Sequence, residues 1–478
     1  MRSLGIQPND VITVCSHNTL DCLIPFYASF FVGAVSANID PLLPLSSTVD
    51  LLKQVRPKMI FVVPEGVELI ENTLKEIGIN AKIVVFGQTL KHTSYSEFLK
   101  PSPDENKFVP YEVENVKDTA VIVFSSGSTG SPKGICLSHY GLLGQIYVLS
   151  PDFQPGLTVL TFSNLFWLAA VSFTVLCIPF GMNRLVYPRF KEGRLIWNTL
   201  KTYKVNYLSA NPHQALDICQ NGRPADADTS ALRLVIVPGG ALTTEQILHV
   251  RKCFNFPTTM VLNSYGQSEM NAYTFRFDPA GCPNDMKLWT EKPTSVGRPI
   301  QGLSYKIVDL STGEILGPNQ EGELCIKSEF AMNGYYKKDS SEAWDADGFL
   351  ETGDIAYYDE DQCFFIVDRV KDLMKYKMWH ISPLKLEAIL YTHPAVQRCI
   401  ISSLYHPVEG DHLVGIVVLK ESEVGKVTEK ELQEYLDGKV ADYEKLVGGV
   451  RFVESIPRTV SDKTNRMRIK HLLRQGKL

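Results

Sequence analysis

The sequence lacks the cysteine spacing that marks a metal-built or thiol-redox fold. Its ten cysteines, Cys15, Cys22, Cys136, Cys177, Cys219, Cys253, Cys282, Cys325, Cys363 and Cys399, are scattered, with no C-x-x-C pair among them. That excludes the usual zinc-finger spacings and fits a reducing compartment. Positive charge in excess is missing too. With 48 Lys and Arg against 53 Asp and Glu, the net charge of -5 offers no field for a polyanion, so nucleic acid is not an expected partner. The opening residues, MRSLGIQPND, have no charged-then-apolar layout, and a secretory leader is unsupported. No internal repeat or low-complexity linker stands out. Long apolar runs are equally scarce. Only LFWLAAVSFTVLCIPFGM, residues 165–182, reaches the length of a membrane span. Pro179, Gly181 and the want of flanking Lys or Arg favour a buried core helix over an integral span.

What is present describes a protein of more than one domain. A chain of 478 residues, 44% hydrophobic and 21% charged, exceeds the size at which one core keeps growing. Short apolar runs, VITVC at 11–15, MIFVV at 59–63 and AKIVVFG at 81–87, alternate with helical patterns such as residues 23–35. The pattern resumes in TAVIVFSSG at 119–127, LRLVIVPGGA at 232–241 and MVLNSYG at 260–266, where apolar strands run into small-residue turns. Strands separated by helices predict an α/β sheet, with ligands gathering at the strand ends. After residue 290 shorter pieces, SYKIVD at 304–309 and GELCIK at 322–327, predict an added β subdomain. From residue 371 a charged stretch leads into a helical KLEAILYTHP and an apolar LVGIVVLK, which predict a small α+β C-terminal domain.

The segment SSGSTGSPKG, residues 125–134, follows the apolar AVIVF. Small residues let backbone amides approach an anion; the hydroxyls of Ser125, Ser126, Ser128 and Thr129 add donors, and Lys133 adds charge. Such a loop reads as a polyphosphate cradle, the alternative being an exposed flexible turn. It is not a Walker loop, because Pro132 stands where that motif needs glycine beside its lysine.

Together with YGQSE at 265–269, TGD at 352–354 and DRVK at 368–371, this loop resembles, in order, the motifs of the acyl-AMP-forming superfamily of acyl-CoA synthetases, 4-coumarate:CoA ligases and beetle luciferases. The resemblance implies a large α/β N-terminal domain of sheets with a β subdomain, residues 1–370, and a small mobile C-terminal domain, residues 371–478. It implies ATP, Mg2+ and coenzyme A as cofactors and a small-molecule carboxylic acid as substrate. Ser125, Ser126, Gly127, Ser128, Thr129, Gly130 and Lys133 would bind the ATP phosphates. Gly239, Gly240, Ala241 and Tyr265 would line the adenine slot, and Gly266 would also contact ATP. Glu269 would hold the metal and Ser268 a phosphate oxygen. Asp354, supported by Arg369, would accept the ribose hydroxyls, although a TGD aspartate also suits a plain turn. PRTVSDKTNR, 457–466, resembles the family's final motif, whose lysine would be Lys463; the alternative is a solvated surface lysine. Lys371 would mark the hinge and Lys375 would face the second half-reaction.

Several positions depart from the pattern. Met378 stands where glycine is usual, which narrows a pantetheine channel. Trp167 stands near a usual histidine of the acyl pocket and changes the accepted acid. Asp462 replaces the glycine before Lys463. Met1 falls where relatives already have a preceding segment, so the large domain is expected to be shortened. The terminal Gly-Lys-Leu resembles the peroxisomal Ser-Lys-Leu address, leaving cytoplasm or peroxisome as the compartment. The expected function is an ATP-dependent carboxylic acid:CoA ligase. A luciferin monooxygenase and a non-catalytic nucleotide-binding relative are the competing readings.

Overall fold

A computed structural model describes residues 1–103, 105–124, 132–149, 153–377, 379–458 and 464–478. The first sheet runs Thr93–Ser94, Lys82–Val85, Met59–Val62, Val11–Cys15, Val35–Ala37, Thr119–Phe124, Gly134–Ser138. All its pairings are parallel except the last. Strands of a covered parallel sheet are buried on both faces, which explains why VITVC reads as an unbroken apolar run and why all five of its residues are buried. Helix Leu20–Val32 follows it. Thr19 caps the helix by accepting from Cys22 N at 3.1 Å. Gly33 ends it at φ +75, with the Tyr111 ring so close that an added Cβ would lie 2.6 Å from it.

The second sheet, Met260–Ser264, Leu234–Pro238, Tyr207–Ser209, Thr158–Thr161, Asn183–Val186, is wholly parallel. A buried hydrogen bond of 2.8 Å from Asn164 Nδ2 to Asp40 Oδ2 ties it to the first. The apolar stretch at 165–182 contributes the helix Leu168–Cys177, mostly buried, with Pro179 and Gly181 beyond its end. No helix among the described residues is long and apolar enough to cross a membrane.

An antiparallel sheet, Leu303–Val308, Gly322–Ser328, Leu350–Tyr358, Phe364–Arg369, forms the β subdomain. It shares a core with the first sheet: Ile307, Leu324, Ile326, Leu350 and Phe364 pack in one cluster with Val121, Ile135 and Leu137. Residues after 373 build a smaller α+β domain on two clusters of their own. One centres on Leu386, Leu390, Leu413 and Leu446, the other on Ile416, Ile469 and Leu473. The observed architecture is thus a large N-terminal domain of sheets followed by a small C-terminal domain, as expected.

Candidate active site

The strand ends of the second sheet and the β subdomain meet around one carboxylate. Strand Met260–Ser264 delivers Tyr265 and Gln267; strand Leu350–Tyr358 contains Thr352, Gly353 and Asp354. The Tyr265 hydroxyl donates to Asp354 Oδ2 at 2.7 Å, and Gln267 Nε2 reaches the same oxygen at 2.6 Å and Thr352 O at 2.8 Å. Arg369 Nε lies 3.0 Å from Asp354 Oδ1, placed there because Asp354 and Arg369 face each other across adjacent strands. The Asp354 side chain is only 3% exposed, while that of Arg369 is 45% exposed. The turn before it is tightly held: Thr352 Oγ1 donates to Leu324 O at 2.6 Å, and Gly353, at φ +68, donates its N–H to Glu323 Oε1 at 3.0 Å. Burial, then the charge of Asp354, raises the Tyr265 phenol well above its usual pKa, so the hydroxyl stays a donor.

Beside this cluster, Ser268 and Glu269 sit in the single turn Ser268–Met270, which Asn271 closes at φ +65. The backbone carbonyl of Glu269 accepts from Met332 N at 2.8 Å. Burial and the negative charge of Glu269 push the Tyr335 phenol up to about 12. Lys133 Nζ lies over the Tyr335 ring, 4.4 Å from its centroid. Burial raises the Glu269 pKa, with Arg369 and Lys133 opposing the rise. A half-buried carboxylate disfavoured as an anion gains from an added cation, so Glu269 fits a hard dication such as Mg2+.

Tyr335 arrives by backbone pairing. Residues 333–336 extend the first sheet beside Gly134–Ser138, with Cys136 N donating to Gly334 O at 3.0 Å and Tyr336 N to Gly134 O at 2.7 Å. Gln267 and Tyr335 were not singled out from the sequence. Gln267 occupies the variable position of YGQSE, and Tyr335 lies in NGYY, where no charge or motif signals a role.

The other expected residues fall as follows. Gly239, Gly240 and Ala241 lie exposed just past strand Leu234–Pro238, Gly239 at φ +86, and Gly266 is exposed after Tyr265. Trp167 precedes helix Leu168–Cys177 and packs edge-on against Phe166, ring centroids 4.8 Å apart, on the core beneath the first sheet. Lys371 lies in the turn Val370–Asp372, its pKa lowered by burial and by Arg369. Lys375 is exposed on strand Met374–Tyr376, its backbone N–H bonded to Asp411 Oδ2 at 3.0 Å. Ser125, Ser126, Gly127, Ser128, Thr129, Gly130, Met378, Asp462 and Lys463 lie outside the described residues.

The large domain of sheets, with a small α+β domain behind it, is the fold of an adenylate-forming enzyme. Residues 1–336 match the family model "AMP-binding enzyme", and residues 385–463 match "AMP-binding enzyme C-terminal domain". The chain belongs to this AMP-binding enzyme family of AMP-forming ligases. It is similar to Luciferin 4-monooxygenase of Photinus pyralis, 30% identical over 100% of this chain and 87% of the relative. It is 31% identical to Probable 4-coumarate--CoA ligase 3 of Dictyostelium discoideum, over 98% of this chain and 87% of the relative. Among solved structures, the luciferase-like enzyme from the nonluminescent Zophobas morio mealworm aligns with a TM-score of 0.72 at 36% identity, over 77% of this chain and 85% of that one.

Proposed function

We propose that the protein is a carboxylic acid:CoA ligase that first forms an acyl-AMP and then a thioester. The observation that carries this reading is the convergence on Asp354 of Tyr265, Gln267 and Arg369, beside the Glu269, Tyr335 and Lys133 group. In the first step a carboxylate oxygen of the acid attacks the α-phosphorus of ATP, and pyrophosphate leaves. Asp354 would receive the ribose hydroxyls. Because its oxygens already accept from Tyr265, Gln267 and Arg369, sugar binding would share or displace one of these donors. Lys133 would meet the phosphates together with residues 125–130, and Ser268 would donate to a phosphate oxygen. Glu269 would hold Mg2+, which, when bound, offsets phosphate charge. Lys463 would stabilise the negative charge that builds at the α-phosphate.

In the second step the CoA sulfur attacks the acyl carbonyl and AMP leaves. We place the domain boundary at 370/371, with Lys371 as hinge and Lys375 turned into the second site. Asp368, just before the hinge, accepts from Ser382 Oγ at 2.6 Å and Leu384 N at 3.2 Å, contacts that a rotation would have to exchange. The terminal Gly-Lys-Leu is a poor candidate for a receptor-read tail, since Leu478 packs on the Ile469 and Leu473 cluster and Lys477 N donates to Leu472 O at 3.0 Å.

The second reading, oxidation of an adenylate with light emission, draws on the luciferase relatives. The two separate in one assay: ATP, Mg2+ and a panel of fatty and aryl acids with CoA, followed by thioester formation, and in parallel luminescence with luciferin. Thioester and darkness support the ligase; light without thioester supports the oxidase.

A further inference from the structure

The hairpin joining strands Val396–His406 and Gly410–Leu419 carries H-P-V-E-G-D-H, residues 406–412. Across it His406 faces Gly410 and Leu404 faces His412, so the two histidines are diagonal neighbours on one face. Their rings lie parallel, at 6° with centroids 4.5 Å apart. Glu409 turns back from the loop to meet them, Oε2 at 2.9 Å from His412 Nε2. One potential ligand atom from each of His406, Glu409 and His412 lies within 4.8 Å of the others, and all three residues are half-buried.

The turn that brings them together is fixed by its backbone. Gly410 sits at φ +88, where an added Cβ would lie 2.3 Å from Lys375 O, so no other residue fits without rearrangement. Lys377 N donates to Glu409 O at 2.6 Å, and Lys377 Nζ lies 3.3 Å from Glu409 Oε1.

We propose that His406, Glu409 and His412 form a binding site for a divalent d-block ion, zinc above all, apart from the nucleotide cleft. Two imidazoles and one carboxylate are a borderline donor set that suits zinc and is poor for Mg2+ or Ca2+, which take oxygen ligands. Around tetrahedral zinc, ligand atoms lie about 3.3 Å apart, and because the parallel rings hold their lone pairs in separate planes, closing the cluster requires the two imidazoles to turn toward one another. The fourth position is left for water. His406 Nδ1 accepts from Glu409 N at 3.1 Å, and coordination through either ring nitrogen displaces that contact. Occupancy also takes Glu409 from Lys377. Because Tyr376 pairs with Gly410, an ion here would brace the hairpin against the strand that carries Lys375.

The test uses tag-free full-length protein, stripped with chelator, titrated with Zn2+ against a chromophoric chelator and with Co2+ by visible absorption. The expected result is one equivalent bound, a tetrahedral Co2+ spectrum, and a melting temperature raised by zinc. His412→Ala and Glu409→Gln should each weaken binding more than about tenfold, a loss already seen when only a supporting partner of a ligand is removed. Glu409→Gln preserves shape and serves if His412→Ala fails to fold, with metal-free melting as the check. No bound equivalent, or equal affinity in Glu409→Gln and wild type, would overturn the site.

Discussion

Glu269 in the large domain and Glu387 in the small one are carboxylates whose pKa desolvation raises, yet Glu387 is buried and Glu269 half-buried, and their surroundings differ. Glu387, on helix Pro383–Tyr391, is matched inside the fold: Arg466 Nη2 lies 2.8 Å from Oε1, and Ile401 N donates to the same oxygen at 2.9 Å. Arg466 also donates to Ile401 O at 3.1 Å, fastening helix Arg466–Arg474 to the sheet. On Glu269, by contrast, the cations Arg369 and Lys133 act electrostatically against the rise that burial causes. Under the proposed function, Glu387 is a structural carboxylate and Glu269 the one that would meet a ligand. A carboxylate held in an ion pair braces the fold, and losing its partner leaves a buried charge that costs stability.

The comparison can be broken from either side. Arg466→Met strands Glu387 in the interior and should cost about 3–5 kcal/mol of stability. Urea unfolding of the small domain measures it, and adding Glu387→Gln to that variant should restore much of the loss. Glu269→Gln should do the reverse: adenylation falls about 10²–10³-fold in a pyrophosphate assay while the melting temperature holds or rises. If Glu269→Gln unfolds the protein, the two carboxylates are alike and the distinction fails. Gln267→Ala removes a hydrogen bond to the charged Asp354 and should weaken ATP use by about 1.5–3 kcal/mol, read as KM for ATP. Tyr335→Phe should act in the same direction by about 1 kcal/mol, read as a shift in Mg2+ dependence.

The smallest expected effect is on pH. The folded-state pKa of Glu387 lies above its unfolded value of 4.5, so protonation favours the fold. That contribution is complete below the unfolded value and is lost as pH rises through the folded one. On acidification from neutrality, wild type should therefore lose less stability than Glu387→Gln, measured by urea midpoints at successive pH values.

The central strands were legible because sheets covered on both faces demand unbroken apolar runs, as in Val11–Cys15 and Leu234–Pro238. Asn183–Val186 was not, since an edge strand with Asn183 and Arg184 carries no such run. The nucleotide-site candidates on YGQSE and TGD were legible because these short motifs resemble those of the acyl-AMP-forming family, the first just past strand Met260–Ser264 and the second within strand Leu350–Tyr358. Tyr335 was hidden for the opposite reason. Its place depends on pairing between distant segments, 333–336 with Gly134–Ser138, and on nothing within NGYY itself. The same holds for Arg466, whose partner Glu387 is on another helix.

The most direct test of the central claim is acid-dependent pyrophosphate release from ATP across fatty and aryl acids, run on wild type and Glu269→Gln side by side. The account predicts release that depends on one class of acid and collapses in the folded variant. Release from neither protein with any acid, or equal release from both, would contradict it.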